Sequence, residues 1–285
     1  MDTLDHRIDG KVCVVTGGNS GIGKATAIGL AERGGSVVIV GRNKERGLAA
    51  QAEVKAKSRN ENVDLMLADL SSFKSVRTLA GSFKAKYGKL DVLVNNAGEI
   101  LHKRHVTIDG LERTFASNHL GHFLLTNLLL DTIRRSATAR IVNITSEAHR
   151  GARIHFDELQ GEKNYSAFRA YGQAKLANVL FTYELARKLE GTGVGVNCLH
   201  PGVVRTGFGH DDSGLMSAVI WIASPFFKSA EKAARAVISL ATSAKLESTS
   251  GKYFSGMKEA RSSEESYDRE TARRLWEVSE KLTQY

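Results

Sequence analysis

The stretch VVTGGNSGIGKATAIGLAERG (residues 14–34) runs from an apolar strand into a helix through a turn rich in glycine. Gly17, Gly21 and Gly23 have the spacing GxxxGxG. Glycine permits positive φ in such a turn and lets the backbone approach a pyrophosphate closely. The N-terminus of the following helix adds unpaired N–H groups and the positive end of the helix dipole. The pattern favours a dinucleotide-binding turn, although a tight βα turn without a ligand has the same glycines.

Strand and helix patterns alternate from this turn towards the end of the chain. The predicted strands are short apolar runs, at residues 12–15, 37–40, 63–68, 92–94, 141–144, 194–199 and 252–254. The predicted helices lie at residues 22–33, 43–58, 72–87, 111–134, 170–190 and 269–282. This alternation predicts an α/β fold of the Rossmann type, a doubly wound parallel sheet of about seven strands with helices on both faces. No Ser/Gly-rich linker interrupts it, so we expect a single domain over residues 1–285.

The composition is that of a globular protein with a modest excess of positive charge. Of 285 residues, 42% are hydrophobic and 25% are charged, which argues against disorder. The net charge of +9 is scattered among acidic residues, so we expect no nucleic-acid binding. Cys13 and Cys198 lie in apolar runs and are predicted to be buried, reduced thiols. Because neither a signal segment nor a run of about 18 apolar residues occurs, the chain is predicted to be cytoplasmic, with no transmembrane segment.

The end of the second strand, VVIVGRNKER (37–46), bears on the choice of cofactor. Dinucleotide folds bind the adenosine ribose here, often through an acidic residue when the cofactor is NAD. Arg42 follows Gly41 instead, and no carboxylate stands at the strand end. A guanidinium suits a 2′-phosphate by its charge and its planar fork, so NADP(H) is favoured. The alternative, that these basic residues merely begin a solvated helix, fits Lys44 and Arg46 better than Arg42.

Further segments carry a family resemblance. Three of them follow in order along the chain: DVLVNNAG (91–98), RIVNITSEAH (140–149) and AYGQAK (170–175). Together with the glycine turn they resemble the short-chain dehydrogenase/reductase family over nearly the whole chain. Two more segments resemble its retinol dehydrogenase-like branch: NHLGHFLLTNLLL (118–130) and RIHFDELQGEK (153–163).

The resemblance implies roles for individual residues. The implied catalytic residues are Asn118, Ser146, Tyr171 and Lys175. The implied cofactor-binding residues, with Arg42 added from the strand end, are Gly17, Asn19, Ser20, Gly21, Ile22, Gly23, Arg42, Asp69, Leu70, Asn95, Ala97, Gly98, Tyr171, Lys175, Pro201, Gly202, Val204 and Thr206. The family also implies a homodimer or homotetramer, formed through the helices at 111–134 and 170–190.

The stretch NYSAFRAYGQAKLANVLF (164–181) offers two tyrosines that could do acid–base chemistry. Tyr165 precedes Arg169 by four positions, and Tyr171 precedes Lys175 by four. A helix that begins just before Tyr171 places Tyr171 and Lys175 on one polar face. Tyr165 falls before that helix and is predicted to be a loop residue whose ring covers the surface. Tyr171 is therefore the predicted catalytic tyrosine.

The resemblance implies a separate role in the mechanism for each of four side chains. Tyr171 is the general acid or base, and Lys175 with the oxidised nicotinamide lowers the pKa of its phenol from about 10. Ser146 donates to the substrate oxygen, and Asn118 holds a water that links Lys175 to solvent. Ser146 and Tyr171 are 25 positions apart, more than in the commonest family members, so an inserted segment must loop out for them to meet.

An apolar segment at residues 204–228 is predicted to cover the substrate. The predicted pocket residues are His149, Phe208, Leu215, Met216 and Trp221. Such a pocket suits a lipophilic carbonyl or alcohol such as a retinoid, a sterol or a long-chain aldehyde. Ordinary core packing and shallow peripheral contact with a membrane are the alternatives for this segment.

Two histidine pairs invite a metal interpretation. His102 and His105, like His119 and His122, are three positions apart, but no carboxylate or cysteine accompanies either pair at a recognisable spacing. We therefore predict no metal site.

The predicted function is the NADP(H)-dependent interconversion of a carbonyl and an alcohol. A non-catalytic NADP(H) sensor or scaffold on the same fold is one alternative. Reduction of an activated C=C bond with the same Tyr171 and Lys175 is the other.

Overall fold

The short apolar runs form the strands of one sheet in a computed structural model that describes residues 6–202 and 229–285. The strands are β1 Val12–Thr16, β2 Ser36–Gly41, β3 Val63–Leu67, β4 Val92–Asn95, β5 Arg140–Ile144, β6 Gly195–His200, β7 Lys252–Ser255 and β8 Lys258–Ala260. Their order across the sheet is β3-β2-β1-β4-β5-β6-β7-β8, and all neighbours are parallel except β7 and β8. The predicted fold is confirmed. The sheet has one strand more than expected because β7 turns back into β8, whose sequence KEA has no apolar run.

Helices cover both faces of this sheet. Those of the described residues are α1 Gly21–Glu32, α2 Lys44–Ser58, α3 Phe73–Lys86, α4 Arg113–Phe115, α5 Gly121–Arg134, α6 Ala167–Lys188, α7 Ala230–Thr242 and α8 Arg269–Thr283. No pattern predicted α7. None of the helices within residues 6–202 and 229–285 has the length and apolar character needed to cross a bilayer.

Alternate residues of the strands pack into two separate hydrophobic cores, one on each face of the sheet. Val14 packs with α3, α5, α6 and α8, whereas its neighbours Cys13 and Val15 pack with α1, α2 and α7. This alternation is what a parallel sheet buried on both faces requires. Cys13 and Cys198 are both fully buried free thiols, as predicted.

The strand order reverses between β1 and β4, which are neighbours in space although two strands lie between them in sequence. At such a switch point the loops that leave the carboxyl ends of the strands diverge and open a crevice, where open α/β sheets bind ligands. The glycine turn after β1, the NNAG segment that ends β4 and Ser146 after β5 all lie at this edge.

The helix predicted over residues 111–134 is interrupted. A π-helical turn at Ala116–Leu120 joins α4 to α5, and Asn118 lies in its middle. The backbone carbonyl oxygen of Asn118 accepts hydrogen bonds from Asn178 Nδ2 (3.1 Å) and His122 Nδ1 (3.1 Å). Single π-helical turns of this kind occur frequently at functional sites. Here two side chains hold the backbone of a predicted catalytic residue.

The C-terminal helix α8 lies against α5 and α6. Trp276 is buried there, with its ring 5.0 Å from Phe123 and 5.7 Å from Phe181, centre to centre. Ser279 Oγ hydrogen-bonds His119 Nε2 at 3.1 Å. Helix α8 thus occupies part of the face through which the family resemblance implies an oligomer.

Candidate active site

Helix α6 brings Tyr171 and Lys175 to the carboxyl end of β5. The Lys175 ammonium lies 5.4 Å from the centre of the Tyr171 ring. It is 3% exposed and donates a hydrogen bond to the Ile144 carbonyl oxygen at 3.3 Å. Tyr171 forms a hydrogen bond with Ser146. Three of the four predicted catalytic side chains therefore meet at the end of one strand.

Ser146 can reach Tyr171, despite the inserted segment between them, because position 172 is a glycine. A Cβ atom at Gly172 would lie only 2.9 Å from the Ala148 carbonyl oxygen. The 3₁₀ turn Glu147–His149, which Ser146 caps by accepting a hydrogen bond from Ala148 N, can therefore pack directly on α6. Without a side chain at Gly172, the two predicted catalytic hydroxyls are close despite the long segment between them.

Gln173 holds the far end of the insertion against the same helix. Its Oε1 accepts a hydrogen bond from His155 N at 2.9 Å, and its Nε2 donates to the Leu159 carbonyl oxygen at 3.3 Å. Because Gln173 follows Gly172 directly, adjacent positions of α6 hold both parts of the insertion.

Asn118 completes the cluster around Gly98. Its Nδ2 donates to the carbonyl oxygens of Glu99 (2.8 Å) and Thr114 (2.8 Å). A Cβ at Gly98 would lie 2.6 Å from Asn118 Oδ1 and 3.3 Å from Lys175 Nζ. Only glycine lets both polar atoms approach this point. Asn118 Oδ1 is buried, and no donor of the described residues reaches it, so it fits a water or ligand donor.

Burial shifts the pKa values of the two titratable groups in opposite directions. It raises the pKa of Tyr171 to about 12, and the hydrogen bond with Ser146 opposes this change. It lowers the pKa of Lys175 to about 8. Each shift favours the neutral form, as expected for groups removed from water. In the chain without cofactor, desolvation therefore outweighs the hydrogen bond with Ser146. The lowering of the Tyr171 pKa by Lys175 and the oxidised nicotinamide stays a prediction.

The glycine turn fits the pyrophosphate of a dinucleotide. Gly17 and Gly21 have positive φ, at 65° and 50°. A Cβ at Gly23 would collide with the Gly17 carbonyl oxygen. Ser20 is the N-cap of α1, but its side chain accepts no hydrogen bond from the first turn, and that turn has no acidic residue. The first N–H groups of α1 are therefore suited to an anion.

Thr16 and His122 connect this turn to the rest of the site. Thr16 Oγ1 accepts hydrogen bonds from Asn96 N (2.9 Å) and Ala97 N (3.0 Å). His122 lies 2.9 Å from Thr16 Oγ1 through Nε2 and 3.1 Å from the Asn118 carbonyl oxygen through Nδ1. Burial lowers the pKa of His122 to about 3, so the ring is neutral. Since Nδ1 must donate to a carbonyl, Nε2 accepts the Thr16 hydroxyl proton.

The motifs of the sequence did not predict this connection. Thr16 opens the TGG segment, and His122 follows Asn118 by one helical turn. The four-residue spacing of Asn118 and His122, which puts both on one side of a helix, is the sequence signal for this connection. His119 is similarly engaged, between Asn178 Oδ1 and Ser279 Oγ. Within the described ranges no group of three or more His, Cys, Asp or Glu side chains is placed to hold a metal ion.

Two predicted site residues point away from the cleft. Asn95 is buried in the sheet, where its Nδ2 donates to Thr126 Oγ1 (2.9 Å) and Asn143 Oδ1 (2.8 Å). The Asn95 side chain is therefore engaged within the sheet, and a contact of this residue with the cofactor stays a prediction. His149 is fully buried, donating from Nδ1 to the Ser146 carbonyl oxygen (2.6 Å) and accepting at Nε2 from Ser263 N (3.1 Å). His149 thus supports the Ser146 turn, and its place in a substrate pocket stays a prediction, since the segment predicted to cover that pocket lies outside the described residues.

The residues predicted to lie near the adenosine end of the cofactor have different environments. The Asp69 carboxylate accepts hydrogen bonds from Ser71 N (2.9 Å) and Ser71 Oγ (2.7 Å). Leu70 is buried, with its carbonyl packed closely against Gly121. Arg42 is 55% exposed and pairs with a carboxylate, since its Nη1 lies 3.0 Å from Glu99 Oε2. This carboxylate does not come from the end of β2 but from the segment after β4.

Other predicted residues either lie at the edge of the cleft or fall outside the described ranges. Asn19 packs against Gly41, and Ile22 packs its side chain on the core between α1 and β2. Pro201 and Gly202 follow β6 directly, and Gly202 has φ of 96°. The predictions outside the described residues are the cover segment 204–228 and, within it, Val204, Thr206, Phe208, Leu215, Met216 and Trp221.

Comparisons with known proteins agree with this geometry. The model of the short chain dehydrogenase family matches residues 11–213. Retinol dehydrogenase 12 of Mus musculus is 45% identical over 278 residues, which cover 97% of this chain and 87% of that protein. Retinol dehydrogenase 13 of Homo sapiens is 43% identical over 284 residues, with 96% and 85% covered.

Solved structures share the fold over most of the chain. An uncharacterized protein from Mycobacterium paratuberculosis has a TM-score of 0.76 and 30% identity, over 100% of this chain and 97% of that one. The RhlG/NADP active-site complex of Pseudomonas aeruginosa has a TM-score of 0.70 and 28% identity, over 90% and 97%. This chain therefore belongs to the short-chain dehydrogenase/reductase family, in its retinol dehydrogenase-like branch.

Proposed function

We propose that this protein interconverts a carbonyl and an alcohol on a lipophilic substrate, with NADP(H) as cofactor and Tyr171 as general acid and base. One observation carries the proposal: Asn118, Lys175 and Gly98 meet beside the glycine turn, with Tyr171 and Ser146 hydrogen-bonded next to them. A protein that only bound the dinucleotide could use Lys175, but it would have no need of Asn118, Ser146, Tyr171 and Lys175 together.

Tyr171 gives its proton to the substrate oxygen in reduction and takes it back in oxidation. Ser146 donates a hydrogen bond to the same oxygen and stabilises negative charge that develops there. At neutral pH Lys175 is protonated, because its pKa of about 8 lies above the pH. Its ammonium favours the phenolate of Tyr171, and the Asn118 amide oxygen accepts from a water that links Lys175 to solvent. The bound cofactor supplies or accepts the hydride.

Two further arguments support the cofactor and the substrate class. Arg42 stands at the end of β2 with its guanidinium largely exposed, where a 2′-phosphate could reach it. The relatives are named for retinol, a lipophilic alcohol, and the predicted pocket segment at residues 204–228 is apolar.

A screen for oxidation of NADPH tests this proposal. Straight-chain aldehydes and ketones of increasing length, together with all-trans-retinal, are offered with NADPH or NADH. We expect turnover to increase with chain length, retinal to be reduced to the alcohol, and NADPH to be preferred by at least about tenfold, the value of one lost charged contact. Product analysis separates the alcohol from a saturated carbonyl. Tight binding of NADPH without turnover of any substrate would contradict an enzymatic role.

The homodimer or homotetramer implied by the family stays a prediction. Since α8 packs on α5 and α6, an interface there would have to include α8. Light scattering on the purified protein measures the subunit number directly.

A further inference from the structure

Glu99 lies between two guanidinium groups at the cofactor cleft. Its Oε2 is 3.0 Å from Arg42 Nη1, and its Oε1 is 2.9 Å from Arg113 Nε. The Glu99 side chain is 19% exposed, whereas that of Arg42 is 55% exposed. Glu99 is therefore the fixed partner in this ion pair, and Arg42 is the partner that can be taken away.

Two anchors keep Glu99 in place. Arg113, at the start of α4, pairs with one carboxylate oxygen. The Glu99 backbone carbonyl accepts a hydrogen bond from Asn118 Nδ2 at 2.8 Å. Thus the residue that pairs with Arg42 is itself held by a predicted catalytic side chain.

The Arg42–Glu99 pair crosses the proposed path of the cofactor. Arg42 follows β2 and Glu99 comes shortly after β4, and β1 lies between these two strands in the sheet. An ion pair from one to the other passes over the end of β1, where the glycine turn begins. The adenosine half of a dinucleotide on that turn would meet the pair.

We propose that Glu99 competes with the 2′-phosphate for Arg42 and so helps to set the preference between phosphorylated and unphosphorylated cofactors. The inference rests on the proposed use of NADP(H). A phosphate carries more charge than the Glu99 carboxylate and can make a bidentate contact with Arg42. It therefore displaces Glu99 from the partly exposed guanidinium. An adenosine without the 2′-phosphate has no anionic group that could replace Glu99 as the partner of Arg42. After the exchange Glu99 remains anchored nearby, where its negative charge repels the phosphate.

Among the described residues, the carboxylates and guanidiniums that meet at this pair are equal in number. Asp69 also lies near Arg42 and Arg113. Burial opposes ionisation of its carboxyl, but the hydrogen bonds from Ser71 and, to a smaller extent, the two cations keep its pKa low. Two carboxylates thus face two guanidiniums. Removing the charge of Glu99 would leave one net positive charge for an incoming phosphate.

Binding of adenosine fragments tests the proposal without turnover. The dissociation constants of 2′,5′-ADP and 5′-AMP are measured by calorimetry for the natural chain, Glu99→Gln, Arg42→Gln and the double variant. Glutamine keeps an acceptor for Arg113. In Glu99→Gln we expect 2′,5′-ADP to bind about fivefold more tightly, the effect of losing one partly exposed charge, and 5′-AMP to change by less than about twofold. In the Arg42→Gln background, Glu99→Gln should give a clearly smaller gain, because only the repulsion between Glu99 and the phosphate is then removed.

Glu61→Gln is the matched control. Glu61 pairs with Lys55 at 3.1 Å, so the variant removes the same charge from the same half of the chain without touching Arg42. It should leave both constants unchanged. Melting curves by circular dichroism check that each variant is folded.

The possible failures can be told apart. Equal gains for both ligands in Glu99→Gln, or a gain for 2′,5′-ADP that is as large without Arg42 as with it, would overturn the role of Glu99 alone. If the natural chain bound 2′,5′-ADP no better than 5′-AMP, the proposed preference for NADP(H) would fail, and this inference with it.

Discussion

Two tyrosines in one stretch of 18 residues, each followed by a cation four positions later, have different environments. Tyr171 lies inside α6, and its partner Lys175 is buried against β5. Tyr165 precedes the N-cap of α6, and Arg169 is exposed. The same spacing therefore places one pair in the cleft, whereas the other joins a half-buried tyrosine at the end of the inserted segment to an exposed arginine in the first turn of α6.

The second tyrosine has a structural role. The Tyr165 hydroxyl donates to the Leu101 carbonyl oxygen at 2.8 Å and lies 3.3 Å from Thr114 Oγ1. It is half-buried and fixes the inserted segment to the loop before α4, so the prediction that its ring covers the surface is wrong. The difference shows that spacing does not identify a catalytic tyrosine. Its neighbours on other elements do.

Replacing the cation of each pair is expected to give the largest difference in turnover, with the loss confined to Lys175→Met. We expect turnover with NADPH and the best carbonyl substrate to fall by about 10²- to 10⁴-fold, the range for loss of a group that assists proton transfer. Arg169→Met is the control and should change turnover by less than about twofold. A Lys175→Met enzyme with near-normal turnover would mean that the buried ammonium has no part in the chemistry.

Gly172→Ala perturbs the site without touching a polar group. A methyl group there would push the Ala148 carbonyl, and with it the Ser146 turn, away from Tyr171. A shift of about 1 Å in a reacting group can cost up to about 10²-fold, so we expect turnover to fall by about 10- to 100-fold. The affinity for NADPH, measured by fluorescence, should stay the same.

Gly81→Ala is the control for this change. Gly81 lies in α3 with nothing within 4 Å of an added Cβ. Alanine there should raise the free energy of unfolding by about 0.5–1 kcal/mol and leave turnover unchanged. Equal turnover in both glycine variants would show that the contact between Gly172 and Ala148 does not position Ser146.

The smallest expected effect concerns how the free energy of unfolding depends on pH in the natural chain and in Lys175→Met. Folding lowers the pKa of Lys175 from 10.5 to about 8, so between these values the unfolded chain binds the proton more readily. The free energy of unfolding should therefore rise with pH from 8 to 10.5, relative to Lys175→Met, which has no proton to lose. Below pH 8 the methionine variant should be more stable by up to roughly 3 kcal/mol.

Denaturant unfolding of both proteins at several pH values checks this difference. A gap between them that failed to narrow as the pH rose would contradict the burial of a charged Lys175. The Arg169→Met control should show no gap at any pH.

Apolar runs and glycine spacing were enough to predict the parallel sheet and the position of the cleft. They could not predict β8, because three residues with the sequence KEA carry no periodic signal. The π-helical turn around Asn118 was also beyond them, since a helical pattern persists through it.

Side-chain direction limited the prediction of the site in the same way. Asn95 and Ala97 stand in one motif, yet the side chain of Asn95 turns into the sheet towards Asn143. The pairing of Arg42 with Glu99 joins residues 57 positions apart. Such contacts depend on which strands are neighbours, and local sequence does not contain that information.

The most direct measurement is the turnover of retinal with NADPH by Tyr171→Phe beside Tyr165→Phe, with the affinity for NADPH determined for both. The account predicts that Tyr171→Phe binds NADPH normally but loses turnover by at least about 10²-fold, while Tyr165→Phe keeps it within about twofold. Normal turnover by Tyr171→Phe, or an equal loss in both variants, would contradict it.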